Sequence, residues 1–128
     1  MMKKKELGVI VACYNSEKYI KRCLDSLVNQ TRQLSEIIIV DDGSYDGSRK
    51  IINKYAERYG YIKLIEKENE GTFHSRIDGM KLINTDYVGF IDADDYWVND
   101  AAEKMIGFVE STGADIIQSE YSFFTLQK

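Results

Sequence analysis

Two groups of carboxylates stand directly behind apolar runs. Asp41-Asp42 follows Ile37-Ile38-Ile39-Val40, and Asp92, Asp94 and Asp95 follow the run Tyr87 to Ile91. Carboxylates crowded together resist ionisation unless a cation relieves their repulsion. Mg²⁺ and Mn²⁺ prefer such oxygens, and often use only one or two of them beside waters and phosphates. The chemistry on offer is therefore a diphosphate held through a divalent metal. Each group alone has a plainer reading. Asp-Asp-Gly is a good turn and helix-capping sequence, and Asp-Ala-Asp-Asp suits a solvated turn. The two groups together, each ending a buried run, favour a ligand.

The other reactive residue types carry less. His74 is the only histidine, and nothing near it in the sequence forms a triad with it. Cys13 ends an apolar run and Cys23 sits at an apolar helix position. With no CxxC pair, both read as small core residues in a reducing compartment. Tyr96 and Trp97 read as core anchors, with an acceptor-pocket wall as the alternative. Phe73, Phe90 and Phe108 read as helical or strand core positions.

Alternating elements position the carboxylates. Leu7 to Cys13 predicts a strand buried on both faces. Ser16 stands where its hydroxyl would cap a helix carrying Tyr19, Ile20, Cys23, Leu24, Leu27 and Val28 at helical spacing. Ile37 to Val40 is a second strand. Ile51, Ile52, Tyr55, Ala56 and Tyr59 mark a second helix, stopped at Gly60. Ile62 to Ile65 is a third strand and Asn69-Glu70-Gly71 a turn. Phe73, Ile77 and Met80 predict a third helix that carries Gly79 at some cost. Tyr87 to Ile91 is a fourth strand. Ala102, Met105, Ile106 and Val109 mark a fourth helix ended by Gly113, and Ala114 to Ser119 is a fifth strand. This order predicts an α/β fold with a mainly parallel sheet and helices on both faces. Ligands of such sheets bind outside the carboxyl ends of the strands, where both acidic groups fall.

Composition limits the partners. The 128 residues suit one compact domain, and 44% hydrophobic with 30% charged residues is an ordinary globular balance. A net charge of −4 argues against nucleic acid. No apolar stretch has the length to span a bilayer, so the reading is a cytoplasmic protein. The run Lys3-Lys4-Lys5 leaves open a peripheral contact with anionic lipid.

Four segments in order carry a resemblance. They are Val11-Ala12-Cys13-Tyr14-Asn15 with Tyr19-Ile20, Leu24 and Ser26-Leu27; Ile38 to Ser44 with Asp46-Gly47-Ser48; Asn69-Glu70-Gly71 with Ser75-Arg76 and Gly79; and Phe90 to Trp97, a DxD region. Together they resemble family 2 glycosyltransferases from about Leu7 to Ser119, with Ala12 where the family usually has proline. The resemblance implies the Rossmann-like nucleotide-binding half of a GT-A fold and a nucleoside-diphosphate-sugar donor, UDP-sugar first. It implies that Tyr14 lies against the base, that Asp41 accepts a hydrogen bond from it, and that Arg76 approaches base or diphosphate. It places Asp92 at the ribose and Asp94 on Mn²⁺ or Mg²⁺. Asp42 and Asp95 are left as loop caps. It further implies inverting transfer to a glycan or lipid-linked acceptor, as in polysaccharide or cell-envelope synthesis. The catalytic base is then expected downstream of Lys128, since Glu120 reads better as a solvated charge.

Other expectations follow from that reading. Residues 1–128 form a single donor-binding domain that stops before the acceptor region. A homodimer through Tyr121 to Phe124 would cover an edge left open there. A receiver-type domain is disfavoured, because its paired acids belong after the first strand. A dinucleotide-binding dehydrogenase is disfavoured too, because Ala12 to Glu17 lacks glycine. A nucleotide-sugar-binding module without catalysis remains the alternative.

Overall fold

The structure is a computed structural model, and it describes residues 4–113. Eight elements alternate: β1 (Leu7–Cys13), α1 (Ile20–Val28), β2 (Glu36–Asp42), α2 (Ser48–Arg58), β3 (Ile62–Lys67), α3 (Thr72–Leu82), β4 (Tyr87–Asp92) and α4 (Ala101–Thr112). Among the described residues the strands form one parallel sheet in the order β3-β2-β1-β4. The fifth strand expected at Ala114 to Ser119 and the dimer contact at Tyr121 to Phe124 lie outside the described residues.

Alternation along β1 divides the core. Val9, Val11 and Cys13 face one layer with Ile37, Ile39, Ile91 and the buried residues of α1, α2 and α4. Ile10 faces the other layer with Ile38 and Val40. The helix on that second side is α3, which packs on β1 and β2. Helices on both faces are thus the predicted arrangement, with three on one side and one on the other.

Two local expectations are corrected. The Ser16 hydroxyl does not cap α1. It donates to the Tyr14 carbonyl at 3.0 Å, while the Ser16 carbonyl accepts from the Tyr19 and Ile20 amides at 2.9 and 2.8 Å. The helix α2 does stop just before Gly60, with Tyr59 as its extended C-cap. The third helix is turned around. Its buried residues are Ser75 and Gly79, while Phe73 is 71% exposed and Ile77, Met80 and Leu82 are exposed with it. The cause is close approach, because a β-carbon at Gly79 would meet Ile10 Cγ2 at 2.6 Å. Only a small-residue face lets α3 sit that near β1. Phe90 and Phe108 are also exposed rather than core. Trp97 is the expected anchor, buried against Gly89, whose missing β-carbon would stand 2.7 Å from the indole.

Candidate functional site

Register assembles the site. Cys13 pairs with Asp41 across β1 and β2, and Ala12 pairs with Asp92 across β1 and β4. The Ala93 amide donates to the Ala12 carbonyl at 2.9 Å, which carries the pairing one residue further and aims the acidic loop along the sheet edge. A cleft of about 290 Å³ opens there. It is lined by Ala12 to Ser16 at the end of β1 and just after it, by Tyr19, by Asp42, by Thr72 and Ser75 of α3, and by Asp92 to Asp94.

Tyr14 lines this cleft half-exposed, with its ring edge-on to Tyr45 and the centroids 6.4 Å apart. Asn15 beside it takes a left-handed φ of 45°, a conformation asparagine tolerates better than most residues. Its amide donates to Ser44 Oγ at 2.7 Å, and its side-chain oxygen accepts from the Tyr45 amide at 2.9 Å. The Ser16 amide donates to Ser48 Oγ at 2.8 Å. The loops after β1 and β2 are therefore bound into one rigid wall.

The acidic pair after β2 splits. Asp41 was expected to face a base, but it is fully buried and outside the cleft lining. Its oxygens accept from the Ser44 amide at 3.1 Å, from Ser44 Oγ and from Arg49 Nε. The hydrogen bond to Asp41 in turn raises the Arg49 pKa. Asp42, expected to cap its own loop, instead reaches another. It accepts from the amides of Glu70 and Gly71 at 2.7 and 2.6 Å, and so fixes the start of α3, while also lining the cleft.

Arg76 and Asp92 meet at 3.3 Å as a half-exposed ion pair. Asp92, Asp94 and Asp95 each bring a carboxylate oxygen within 4.8 Å of the others. Two oxygens on one Mg²⁺ lie at most about 4.2 Å apart, since each bond is about 2.1 Å. Small side-chain rotations thus let this hard, anionic donor set take Mg²⁺ or Mn²⁺. Cys13 also lines the cleft, but burial, with the Asp41 charge behind it, pushes its thiol up to about 12. It is a neutral wall and not a nucleophile.

His74 is exposed beside Phe73 on the surface of α3 and takes no part. The sequence reading passed over Asn15, Ser48, Thr72, Arg22 and the reach of Asp42. Asn15 had a signal in its place just after a buried strand. Arg22 and Ser26 had another, polar positions four apart on a helix that is otherwise apolar inward, with Gln30 four residues on and just past its end.

Comparison with known proteins agrees with this geometry. The family model described as glycosyl transferase family 2 matches residues 8–124. Glycosyltransferase GlyA of Streptococcus pneumoniae is 37% identical over 119 residues, covering 93% of this chain and 17% of its own. S. aureus TarS 1-349 in complex with UDP superposes with a TM-score of 0.76 at 29% identity, covering 89% of this chain and 38% of its own. The mannosyltransferase PcManGT from Pyrobaculum calidifontis, in complex with GDP-Man and Mn²⁺, superposes with a TM-score of 0.75 at 25% identity, covering 90% and 34%. This chain therefore spans well under half of the length of these proteins. A parallel α/β sheet with an acidic carboxyl edge, matched over most of its length by one family, places the chain in glycosyl transferase family 2.

Proposed function

We propose that this chain is the donor-binding domain of an inverting glycosyltransferase that takes a nucleoside-diphosphate sugar, UDP-sugar first. The observation that carries the proposal is convergence. Tyr14, Asp42, Asp92 and Asp94 line one cleft at the carboxyl edge of the sheet. Similar structures hold UDP, or GDP-Man with Mn²⁺.

In this reading Tyr14 lies along the base. Asp41 acts at one remove, by shaping the loop that receives the base. Asp92 meets the ribose, and Arg76 exchanges its ion pair with Asp92 for the diphosphate. Asp94, with Asp92 or Asp95 beside it, would hold Mn²⁺ or Mg²⁺, which neutralises charge on the leaving diphosphate. The tied loops hold the donor in one orientation and so lower the entropic cost of reaching the transition state. The acceptor is a glycan or lipid-linked hydroxyl at the cytoplasmic side of the membrane. No residue of this chain is assigned as the base that takes the acceptor proton.

Calorimetric titration of the chain with UDP and with GDP, each with and without Mn²⁺, tests the proposal. UDP binding that depends on Mn²⁺ supports it. Failure of both diphosphates to bind in the presence of Mn²⁺ removes it.

A further inference from the structure

One side of α1 runs along the acidic loop and holds it by its backbone. Arg22 Nη2 donates to the Asp94 carbonyl at 2.9 Å. One turn on, Ser26 Oγ accepts from the Trp97 amide at 3.1 Å. Just past the end of α1, Gln30 donates to the Val98 carbonyl at 2.7 Å and accepts from the Ala102 amide at 2.8 Å. Arg22 and Ser26 lie above one another on α1, and Gln30, two residues past its end, extends them into a ladder, donating also to the Ser26 carbonyl at 2.9 Å. Its rungs meet the loop in sequence order, from the acidic cluster to the start of α4.

Each rung goes to a main-chain atom and leaves the Asp94 carboxylate to a ligand. The first rung is the one next to that carboxylate. The Arg22 guanidinium also lies over the Tyr96 ring at 4.6 Å and near the Tyr19 ring at 5.9 Å. A planar cation stacked in this way is held in one orientation, which a lone exposed arginine is not. Its donor therefore fixes the Asp94 peptide, and through it the direction of the Asp94 side chain.

We propose that Arg22 is a positioning residue for the donor site: it presets the Asp94 carboxylate for the metal–diphosphate through the Asp94 carbonyl, without touching the ligand. The proposal rests on the donor-site reading above. Ser26 and Gln30 hold the remainder of the loop and contribute to folding. Arg22 is exposed, so its replacement leaves the core intact.

The test compares wild type, Arg22→Met and Arg22→Lys in the full chain, with two readouts. The first needs no ligand: amide hydrogen exchange of Asp95, whose N–H donates to the Asp92 carbonyl at 2.9 Å. In Arg22→Met this exchange should accelerate about tenfold, which corresponds to 1.4 kcal/mol of local opening. Exchange in β1 and β2 should stay unchanged, and Arg22→Lys should recover most of the protection. The second readout is Mn²⁺ affinity, by titration with Mn²⁺ in the presence of UDP or GDP. It should weaken about fivefold to tenfold in Arg22→Met and return to within about twofold in Arg22→Lys. Unchanged Asp95 exchange in Arg22→Met overturns the proposal, whatever the metal does. So does faster exchange with unaltered Mn²⁺ affinity. Wild type that binds no Mn²⁺ in the presence of either diphosphate removes the donor-site reading, and this inference with it, and the exchange data then show separately whether Arg22 holds the loop.

Discussion

Replacing Asp42 by alanine should be the most costly single change at the cleft that leaves the sheet core whole. Its carboxylate accepts two backbone hydrogen bonds, 2.7 and 2.6 Å long, from Glu70 and Gly71, while its own side chain is buried. A hydrogen bond to a charged acceptor contributes about 1.5–3 kcal/mol. Two give about 3–6 kcal/mol, and the lower end applies because the turn can open and let water reach the freed amides. In a domain of this size 1 kcal/mol moves the melting temperature by about 4 °C, so Asp42→Ala should lower it by about 12 °C. Asp42→Asn keeps one carbonyl acceptor but turns an NH₂ toward the second amide, so it should lose at least half as much. Calorimetric melting measures both. UDP affinity should fall in parallel, because the same bonds place Thr72 and Ser75 in the cleft wall. A loss below about 3 °C for Asp42→Ala would refute the reasoning, since less than about 1 kcal/mol cannot come from two intact charged bonds.

Gly79→Ala should destabilise the chain by about 1 kcal/mol or more, although alanine raises helix propensity by about that amount, because the new methyl would stand 2.6 Å from the branched Ile10 side chain; urea unfolding gives the sign. Cys13 and Cys23 should both resist a thiol reagent at neutral pH in the native chain and react together on unfolding, since burial raises both thiols, Cys13 to about 12; trapping one cysteine without unfolding would count against this. Asp78 is held below its ordinary pKa by the hydrogen bond from Lys67, so its contribution is present above the unfolded value of about 4 and disappears as pH falls through the folded one. Urea midpoints of Asp78→Asn should accordingly fall less steeply between about pH 5 and about pH 2 than those of the wild type.

The fold was legible because its signals are local. Ile37 to Val40 and Leu7 to Cys13 are runs too apolar for anything but doubly covered strands, and their alternation with helical spacing dictates parallel pairing. The acidic edge was legible for the same reason, since Asp92, Asp94 and Asp95 end a strand. What hydrogen-bonds to what was not. Asp41 and Asp42 are neighbours of one type, yet alternation sends one to Arg49 and the other across to the turn before α3. Only the paired strands reveal which is which. The orientation of α3 was misjudged because Phe73, Ile77 and Met80 look like a core stripe, whereas the constraint that decides is the lack of space above Ile10. Size at a contact is not written in hydrophobic periodicity.

The central claim is a metal-dependent nucleotide site with Asp94 at its centre, and the melting temperature with UDP, with Mn²⁺ and with both tests it most directly. Ligand at 100 times its dissociation constant adds about 2.7 kcal/mol, which is a rise of roughly ten degrees here. The account predicts that rise for wild type only when UDP and Mn²⁺ are present together, and its loss in Asp94→Ala. An equal rise in Asp94→Ala, or none in wild type with UDP or GDP and metal, would contradict it.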